Sequence, residues 1–89
     1  MARAEVTYSG HVQGVGFRFT ARSIAAGYAV AGYVRNRPDG RVEVVAEGAR
    51  PEIEAFLAEL AAAMGDYIGR IEVNWTEGTG EFKGFGVRF

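Results

Sequence analysis

A glycine-rich segment, Gly10–Arg18 (GHVQGVGFR), ends in an arginine at the start of a predicted helix. Glycines allow consecutive backbone N–H groups to turn toward one point, and the unpaired N–H groups of a first helical turn add positive potential there. The planar guanidinium of Arg18 supplies donors that match phosphate oxygens. The segment therefore predicts a binding site for an anion.

A purely structural interpretation of the same segment stays open. In it, Gly14 and Gly16 serve a tight turn, and Arg18 is a solvated residue of the first helical turn. The segment is not a Walker phosphate loop, since no Lys-Ser/Thr pair follows, and not a dinucleotide fingerprint, since no third glycine stands at the required offset. Spacing alone does not decide between an anion site and a turn.

A second polar segment, Tyr33–Gly40, places Asn36 between Arg35 and Arg37 at the end of a predicted strand. An asparagine before a Pro-Asp-Gly turn ordinarily forms that turn, with its side-chain amide bonded to nearby backbone. Taken alone, the residues of this segment favour the turn-forming interpretation of Asn36.

The composition excludes several classes of chemistry. The 89 residues include no cysteine and one histidine, His11, which removes disulfides, thiolate zinc sites, cysteine nucleophiles and histidine-based metal clusters. A chain of this length folds around one core and leaves no room for a buried cofactor. We expect one domain, residues 1–89, with no metal and no cofactor. We also expect His11 to be a surface strand residue rather than a base.

Charge is unevenly distributed along the chain. Residues 1–41 hold six arginines against Glu5 and Asp39, a net charge of +4, whereas residues 42–89 hold four cations against nine acids, a net charge of −5. A basic half in a nearly neutral protein favours a local anion site over the broad cationic surface that nucleic acid requires. Because no apolar stretch is long enough for a secretory signal or a membrane span, we expect a cytoplasmic protein with no nucleic acid and no membrane as partner.

Periodicity predicts the elements that must position these residues. Apolar and polar residues alternate in the predicted strands, and apolar residues recur every three or four positions in the second helix. The predicted elements are strand 1 up to Gly10, helix 1 over Phe17–Ala31, strand 2 over Tyr33–Asn36, strand 3 over Arg41–Glu47, helix 2 over Pro51–Met64, strand 4 through Ile71, Val73 and Trp75, and a final strand through Phe85, Val87 and Phe89. A Pro-Asp-Gly turn joins strands 2 and 3 as a hairpin. This βαββαβ order predicts an α+β sandwich of the ferredoxin-like kind, with both helices on one face of a mainly antiparallel sheet.

Two blocks of the sequence resemble the signatures of the acylphosphatase family. They are Gly10-x-Val12-Gln13-Gly14-Val15-Gly16-Phe17-Arg18, and Gly32-Tyr33-Val34-Arg35-Asn36 with Asp39-Gly40-x-Val42-Glu43. The element order, the length and the closing segment Phe82–Phe89 are also similar to that family. The chain departs from the family at Tyr33, where similar sequences usually carry Trp, at Ala21, where a hydroxyl residue is common, and in the loop Gly65–Arg70.

The resemblance implies an enzyme that hydrolyses the mixed anhydride of a carboxylic acid and phosphoric acid without a metal ion. Its substrate would be a small-molecule acyl phosphate, and one product would be inorganic phosphate. The resemblance further implies that Arg18 binds the phosphoryl group and that Asn36 positions the attacking water. The residues expected to bind phosphate are Gln13, Gly14, Val15, Gly16 and Phe17, through their backbone amides, and Arg18 through its side chain.

This chemistry is compatible with the limited set of side chains. A carboxylate leaving group has a conjugate-acid pKa of about 4, so it departs as an anion at neutral pH without a general acid. Phosphoryl transfer then depends chiefly on positioning and on stabilising the equatorial oxygens. An enzyme of this kind needs neither a histidine base nor paired acids in its motifs.

Two other functions stay open at the level of sequence. The segment Lys83–Phe89 (KGFGVRF) looks like a shortened form of the strand motif in RNA-recognition modules, which share this element order, but it stands at the end of the chain in an acidic half. The other is a noncatalytic phosphate-binding domain, because acylphosphatase-like domains also occur within a larger maturation enzyme that handles carbamoyl phosphate. We expect a monomer.

Overall fold

The computed structural model describes all 89 residues, which form a five-stranded sheet with two α-helices. The elements are β1 (Ala2–Gly10), α1 (Phe17–Ala25), β2 (Val30–Asn36), β3 (Val42–Gly48), α2 (Arg50–Met64), β4 (Ile68–Glu77) and β5 (Phe85–Arg88), with a 3-10 turn at Gly65–Tyr67. The strand order is β4-β1-β3-β2-β5, antiparallel except between β2 and β5. The predicted α+β ferredoxin-like fold is confirmed.

The core lies between the helices and one face of the sheet. Every second residue of the central strands is buried there, as the period of two predicts. Helix α2 buries the apolar residues that recur every three or four positions in its sequence. The buried core residues are Ala4, Val6, Tyr8, Val12, Phe17, Ala21, Ala25, Val34, Val42, Val44, Ala46, Ile53, Phe56, Leu60 and Met64.

The predicted end of helix 1 at Ala31 is wrong. Helix α1 ends at Ala25, residues 26–29 form turns, and β2 already begins at Val30. The alanine-rich segment favours a helix locally, but Val30–Asn36 pairs along the full length of β3 and gains a complete ladder of backbone hydrogen bonds. Gly32 permits this pairing, because a Cβ there would lie 1.8 Å from the Val45 carbonyl oxygen.

A polar network holds the loop between β4 and β5 against the helix-free face of the sheet. The Glu47 side chain is buried and accepts hydrogen bonds from the backbone N–H groups of Thr79 and Gly80, both at 2.9 Å, and from the Thr79 hydroxyl at 3.0 Å. Arg3 donates to Glu47 at 2.9 Å and also pairs with Glu5 and Glu81. The network fixes the loop that leads the chain into β5.

The same contacts set the ionisation of Glu47. Burial alone raises the pKa of this carboxyl, but the hydrogen bonds from Thr79, Arg3 and Gly80 outweigh burial and lower the pKa from 4.5 to about 2. The ionised form of Glu47 therefore stabilises the fold at neutral pH. That contribution is complete above pH 4.5 and is lost as the pH falls toward about 2.

Replacing Glu47 with glutamine should lower the free energy of unfolding at neutral pH by about 2 kcal/mol or more, because the neutral amide loses the charge-assisted hydrogen bonds. Urea unfolding between about pH 7 and about pH 3 measures the effect. The difference in free energy of unfolding between parent and variant should narrow as the pH falls below 4.5. The matched control is Glu54→Gln, on an exposed side chain; a gap that narrows equally for both variants contradicts the assignment to Glu47.

Candidate active site

Strands β1 and β2 deliver two loops to the same edge of the sheet. Tyr8 and Asn36 both pair with Val42 of the intervening strand β3, one from each side. Because β3 runs antiparallel to both, β1 and β2 run parallel and end together. The loop that follows β1 leads into α1, and Asn36 is the last residue of β2. The topology therefore brings the start of α1 close to Asn36.

The loop before α1 leaves its backbone donors free. Gly14 and Gly16 have φ values of 77° and 80°, in the left-handed region, and a Cβ at either position would meet nothing within 4 Å. Glycine is needed here for backbone conformation rather than for space. None of the backbone N–H groups of residues 13–19 donates to an acceptor in the protein; the first to do so is that of Thr20, to the Gly16 carbonyl at 3.0 Å. These donors are available to a ligand.

Two buried apolar residues fix the ends of this loop. Val12 is fully buried at its beginning, and Phe17 is buried at its end, with its ring centroid 4.8 Å from that of Tyr8. Burial raises the pKa of the Tyr8 hydroxyl above its usual range, so Tyr8 is neutral at physiological pH. His11 is exposed in the bend after β1 rather than in a strand, and its ring centroid lies 6.4 Å from that of Tyr67.

Gln13 ties the loop to the turn between β2 and β3. Its Nε2 group donates to the carbonyl of Arg37 at 2.8 Å and to the carbonyl of Arg41 at 3.0 Å. The sequence predicts only a backbone role for Gln13 and gives no sign of this side-chain contact, because the partners are 24 and 28 residues away. The contact fixes the distance between the glycine loop and the end of β2.

Arg18 carries a guanidinium without a carboxylate partner. It takes part in none of the seven ion pairs of the structure, whereas Arg35 pairs with Glu43 at 2.6 Å and Arg37 pairs with an aspartate at 3.0 Å. The half-buried Arg18 instead places its Cζ atom 4.9 Å from the ring centroid of Phe89. The charge of Arg18 is therefore available to an anion, and one face of its guanidinium is covered.

The interpretation of Asn36 as a turn former is not supported. Its side chain lies on the helix side of the sheet, as does that of Val34 two residues earlier, and it makes no hydrogen bond within the protein. Asp39 stabilises the turn instead, accepting a hydrogen bond from the Arg41 N–H at 3.1 Å and pairing with Arg37. The amide of Asn36 is therefore free at the edge where α1 begins.

Phe89 reaches the same edge from the other side. β5 runs parallel to β2 with Arg88 opposite Arg35, so the next residue, Phe89, lies level with Asn36. The prediction that the final strand runs through Phe89 is wrong: β5 ends at Arg88, and Phe89 is 93% exposed. Its ring covers the guanidinium of Arg18 rather than the core.

The arrangement can bind an anion and orient a neutral molecule beside it. Unpaired N–H groups and one unpaired guanidinium have the same electrostatic sign at one edge of the sheet. The acidic residues nearest to Asn36 along the chain, Asp39 and Glu43, form ion pairs with Arg37 and Arg35 respectively. The three surface cavities are lined by other residues, so this edge is an open surface rather than a closed pocket.

Comparison with known proteins identifies the family. A sequence model described as Acylphosphatase matches residues 4–87. The chain belongs to the acylphosphatase family. An acylphosphatase from Roseiflexus sp. is 42% identical over 88 residues, covering 98% of this chain and 95% of the relative. One from Thermus thermophilus is 44% identical over 90 residues, covering 98% and 99%. The expectation of an acylphosphatase enzyme is confirmed.

Solved structures of acylphosphatases have the same fold. The crystal structure of acylphosphatase from Bacillus subtilis aligns with this chain over the full length of both, with a TM-score of 0.89 and 29% identity. Full-length HypF in its phosphate- and nucleotide-bound form matches all of this chain but only 12% of its own, with a TM-score of 0.81 and 31% identity. No helix of this acylphosphatase is both long and apolar enough to cross a membrane.

The contact between Phe89 and Arg18 makes a prediction about phosphate binding. Replacing Phe89 with leucine should weaken inhibition by inorganic phosphate by at most about 5-fold, because the ring restricts the guanidinium of Arg18 before the anion binds and a cation–π contact at an exposed site is worth roughly 0.5–1 kcal/mol. Phe19→Leu is the control, since the Phe19 ring lies 5.3 Å from the guanidinium of Arg22 rather than that of Arg18. Equal effects of the two substitutions on the inhibition constant contradict the prediction.

Proposed function

We propose that this acylphosphatase hydrolyses the carboxyl–phosphate bond of small-molecule acyl phosphates without a metal ion. In this proposal the side chain of Arg18 and the backbone amides of residues 13–17 bind the phosphoryl group, and Asn36 positions the attacking water. The observation that carries the proposal is that the side chains of Arg18 and Asn36 lie at the same edge of the sheet and that neither side chain has a hydrogen-bonding partner in the protein. Family membership supports the substrate class.

The phosphoryl group would be held by donors that are fixed before it arrives. In phosphoryl transfer, negative charge is spread over three equatorial oxygens, and preorganised donors stabilise them without reorganisation. The glycine loop is held in place by Val12, Phe17 and the side chain of Gln13. The Cζ atom of Arg18 lies 4.9 Å from the ring centroid of Phe89.

The reaction itself would require little proton transfer from the protein. Water attacks phosphorus in line with the bond to the carboxyl oxygen, and that bond breaks with its electron pair moving to the leaving carboxylate. The carboxylate is a stable anion at neutral pH, so it needs no general acid. Asn36 cannot take a proton; its side chain would hold the water by a hydrogen bond while a phosphate oxygen accepts the proton.

Unpaired arginines near this edge would attract the anionic substrate. Arg22 and Arg41, like Arg18, form no ion pair in the structure, although Arg35 and Arg37 do. A local excess of positive potential raises the rate at which anions arrive, and salt screens this effect. The proposed partners are therefore an acyl phosphate and inorganic phosphate, with no nucleic acid, and the proposed location is the cytoplasm.

Hydrolysis of benzoyl phosphate in the presence of EDTA tests the proposal. Fast loss of benzoyl phosphate, with an aryl phosphate monoester left intact, is the expected result, because a phenolate leaves far less readily than a carboxylate. Hydrolysis that stops with EDTA and returns with a divalent cation contradicts the metal-free mechanism. Phosphate binding without any hydrolysis favours the noncatalytic alternative.

The RNA-binding alternative is disfavoured by the position of the closing segment. Phe85 and Val87, which the RNA-recognition motif would need on the open face of the sheet, pack on the helix side against the core. On the open face, Phe82 packs against the ring of Tyr33 with 5.8 Å between the centroids. Tyr33, Phe82 and Phe85 are thus occupied by contacts within the protein.

A further inference from the structure

The side chain of Gln13 is the only hydrogen-bonding link between the glycine loop and the end of β2. Its Nε2 group donates one hydrogen bond to the carbonyl of Arg37 at 2.8 Å and one to the carbonyl of Arg41 at 3.0 Å. No other hydrogen bond joins residues 11–18 to residues 35–42. Both hydrogens of the side-chain amide are used, so the link restrains direction as well as distance.

The two acceptors of Gln13 belong to the part of the hairpin next to Asn36. Asn36 pairs with Val42 at the end of the ladder between β2 and β3. The next two residues, Arg37 and Arg41, are joined by a hydrogen bond of 2.8 Å from the Arg37 N–H to the Arg41 carbonyl. Gln13 thus binds the two carbonyls that directly follow the Asn36 pair. Any shift of the glycine loop relative to Asn36 would break this contact.

The hairpin does not need Gln13 in order to form. The Arg37 carbonyl also accepts a hydrogen bond from the Gly40 N–H at 3.2 Å, and the Arg41 carbonyl accepts one from the Arg37 N–H. The two ends of the glycine loop are held by buried apolar side chains. Loss of the Gln13 amide should therefore leave the fold intact and free the loop and the end of β2 to move relative to each other.

We propose that Gln13 is a positioning residue for hydrolysis, whose side chain sets the distance between the bound phosphoryl group and the water beside Asn36. This inference rests on the proposed function, in which backbone amides of the glycine loop bind the phosphoryl group. In-line attack needs reacting atoms about 3–3.5 Å apart, and a misplacement of about 1 Å can cost about 10²-fold in rate. A link between the two binding groups therefore acts on turnover more than on phosphate affinity.

Replacing Gln13 with methionine tests this role, because methionine has a side chain of similar length and lacks both donors. We expect kcat for benzoyl phosphate to fall by about 10- to 100-fold, because the water is no longer held in line. Inhibition by inorganic phosphate should stay nearly unchanged. Tyr28→Phe is the matched control and should keep the parent kcat. It removes another long-range hydrogen bond, to Glu59 at 2.7 Å, at the opposite end of β2 from Asn36.

A double substitution shows whether Gln13 acts through Asn36. In the Asn36→Ala background the positioned water is already lost, so adding Gln13→Met should lower kcat little further. Residues that act through one another are not additive, whereas independent residues are. If the two losses in kcat multiply, Gln13 does not act through Asn36 and the proposal is overturned.

The kinetic constants also separate this role from the proposed function. A folded Gln13→Met variant with the parent kcat, or one that loses phosphate inhibition as much as kcat, overturns the positioning role alone. If circular dichroism shows that Gln13→Met does not fold, Gln13→Ala replaces it with the same expected result. A parent chain that does not hydrolyse benzoyl phosphate overturns the proposed function, and the role of Gln13 with it.

Discussion

Replacing Arg18 with alanine should lower kcat/KM for benzoyl phosphate by about 10³-fold or more and remove inhibition by inorganic phosphate. The reason is that Arg18 has no partner in the protein, so its whole donor set is available to the phosphoryl oxygens. An arginine that stabilises charge in phosphoryl transfer contributes about 10³-fold or more to the rate. Steady-state kinetics with phosphate as a competitive inhibitor measures both effects.

Arg22 offers a matched control for this substitution. It lies one helical turn after Arg18, carries no ion pair, and contacts the ring of Phe19 as Arg18 contacts that of Phe89. Arg22→Ala should change kcat/KM only by weakening the local potential, an effect that added salt removes. Arg18→Lys should keep part of the phosphate affinity but lose most of the turnover, because an ammonium lacks the planar fork. Unchanged phosphate inhibition in Arg18→Ala refutes the proposed phosphate site.

The fold was predictable wherever local pattern and tertiary packing agree. Helix α2 has its apolar residues at helical spacing and a proline in its first turn, and the structure confirms it from Arg50 to Met64. Helix α1 shows the opposite case. The alanines after Ala25 favour a helix, but all of Val30–Asn36 pairs with β3 as a strand. The β3 partners of Val30 and Ala31, Gly48 and Glu47, are 18 and 16 residues away along the chain. Local propensity does not indicate partners at this separation, so the predicted helix extends too far.

The site residues divide in the same way. The sequence predicts a candidate anion site at the glycine loop and Arg18, because glycine spacing and a first-turn arginine carry a local signal. The contacts that Gln13 makes with the β2–β3 turn and that Phe89 makes with Arg18 are non-local, and nothing in their neighbours along the chain indicates them. The resemblance supplied a role for Asn36 that its own segment did not favour.

The buried network at Glu47 connects stability to the proposed site. Glu47 holds the loop at Thr79 and Gly80, and this loop leads into β5, whose end brings Phe89 to the guanidinium of Arg18. A carboxylate on the open face of the sheet thereby helps to position a residue at the edge of the sheet. Loss of the Glu47 carboxylate should act on phosphate binding only through Phe89. Glu47→Gln should therefore weaken phosphate inhibition by no more than Phe89→Leu does.

Replacing Asn36 with alanine should lower kcat by about 10²- to 10³-fold while leaving inhibition by phosphate nearly unchanged. The Asn36 side chain makes no hydrogen bond that stabilises the fold, and its neighbours Val34 and Val42 hold the strand without it. Loss of one positioned amide at a reacting centre typically costs this much in turnover. In the proposal phosphate binding depends instead on Arg18 and the glycine loop, so kcat should fall while the inhibition constant for phosphate stays nearly the same.

Asn74 supplies the control for this separation, since it lies on β4 and its amide only contacts the exposed side chain of Glu5 at 3.4 Å. Asn74→Ala should retain the parent kcat. Asn36→Asp should lower kcat and also weaken phosphate inhibition, because a carboxylate beside the phosphoryl group repels it while a missing amide does not. If Asn36→Ala keeps the parent turnover, water must be positioned by another group, and the role of Asn36 has to be given up; the proposed phosphate site at Arg18 does not depend on this result.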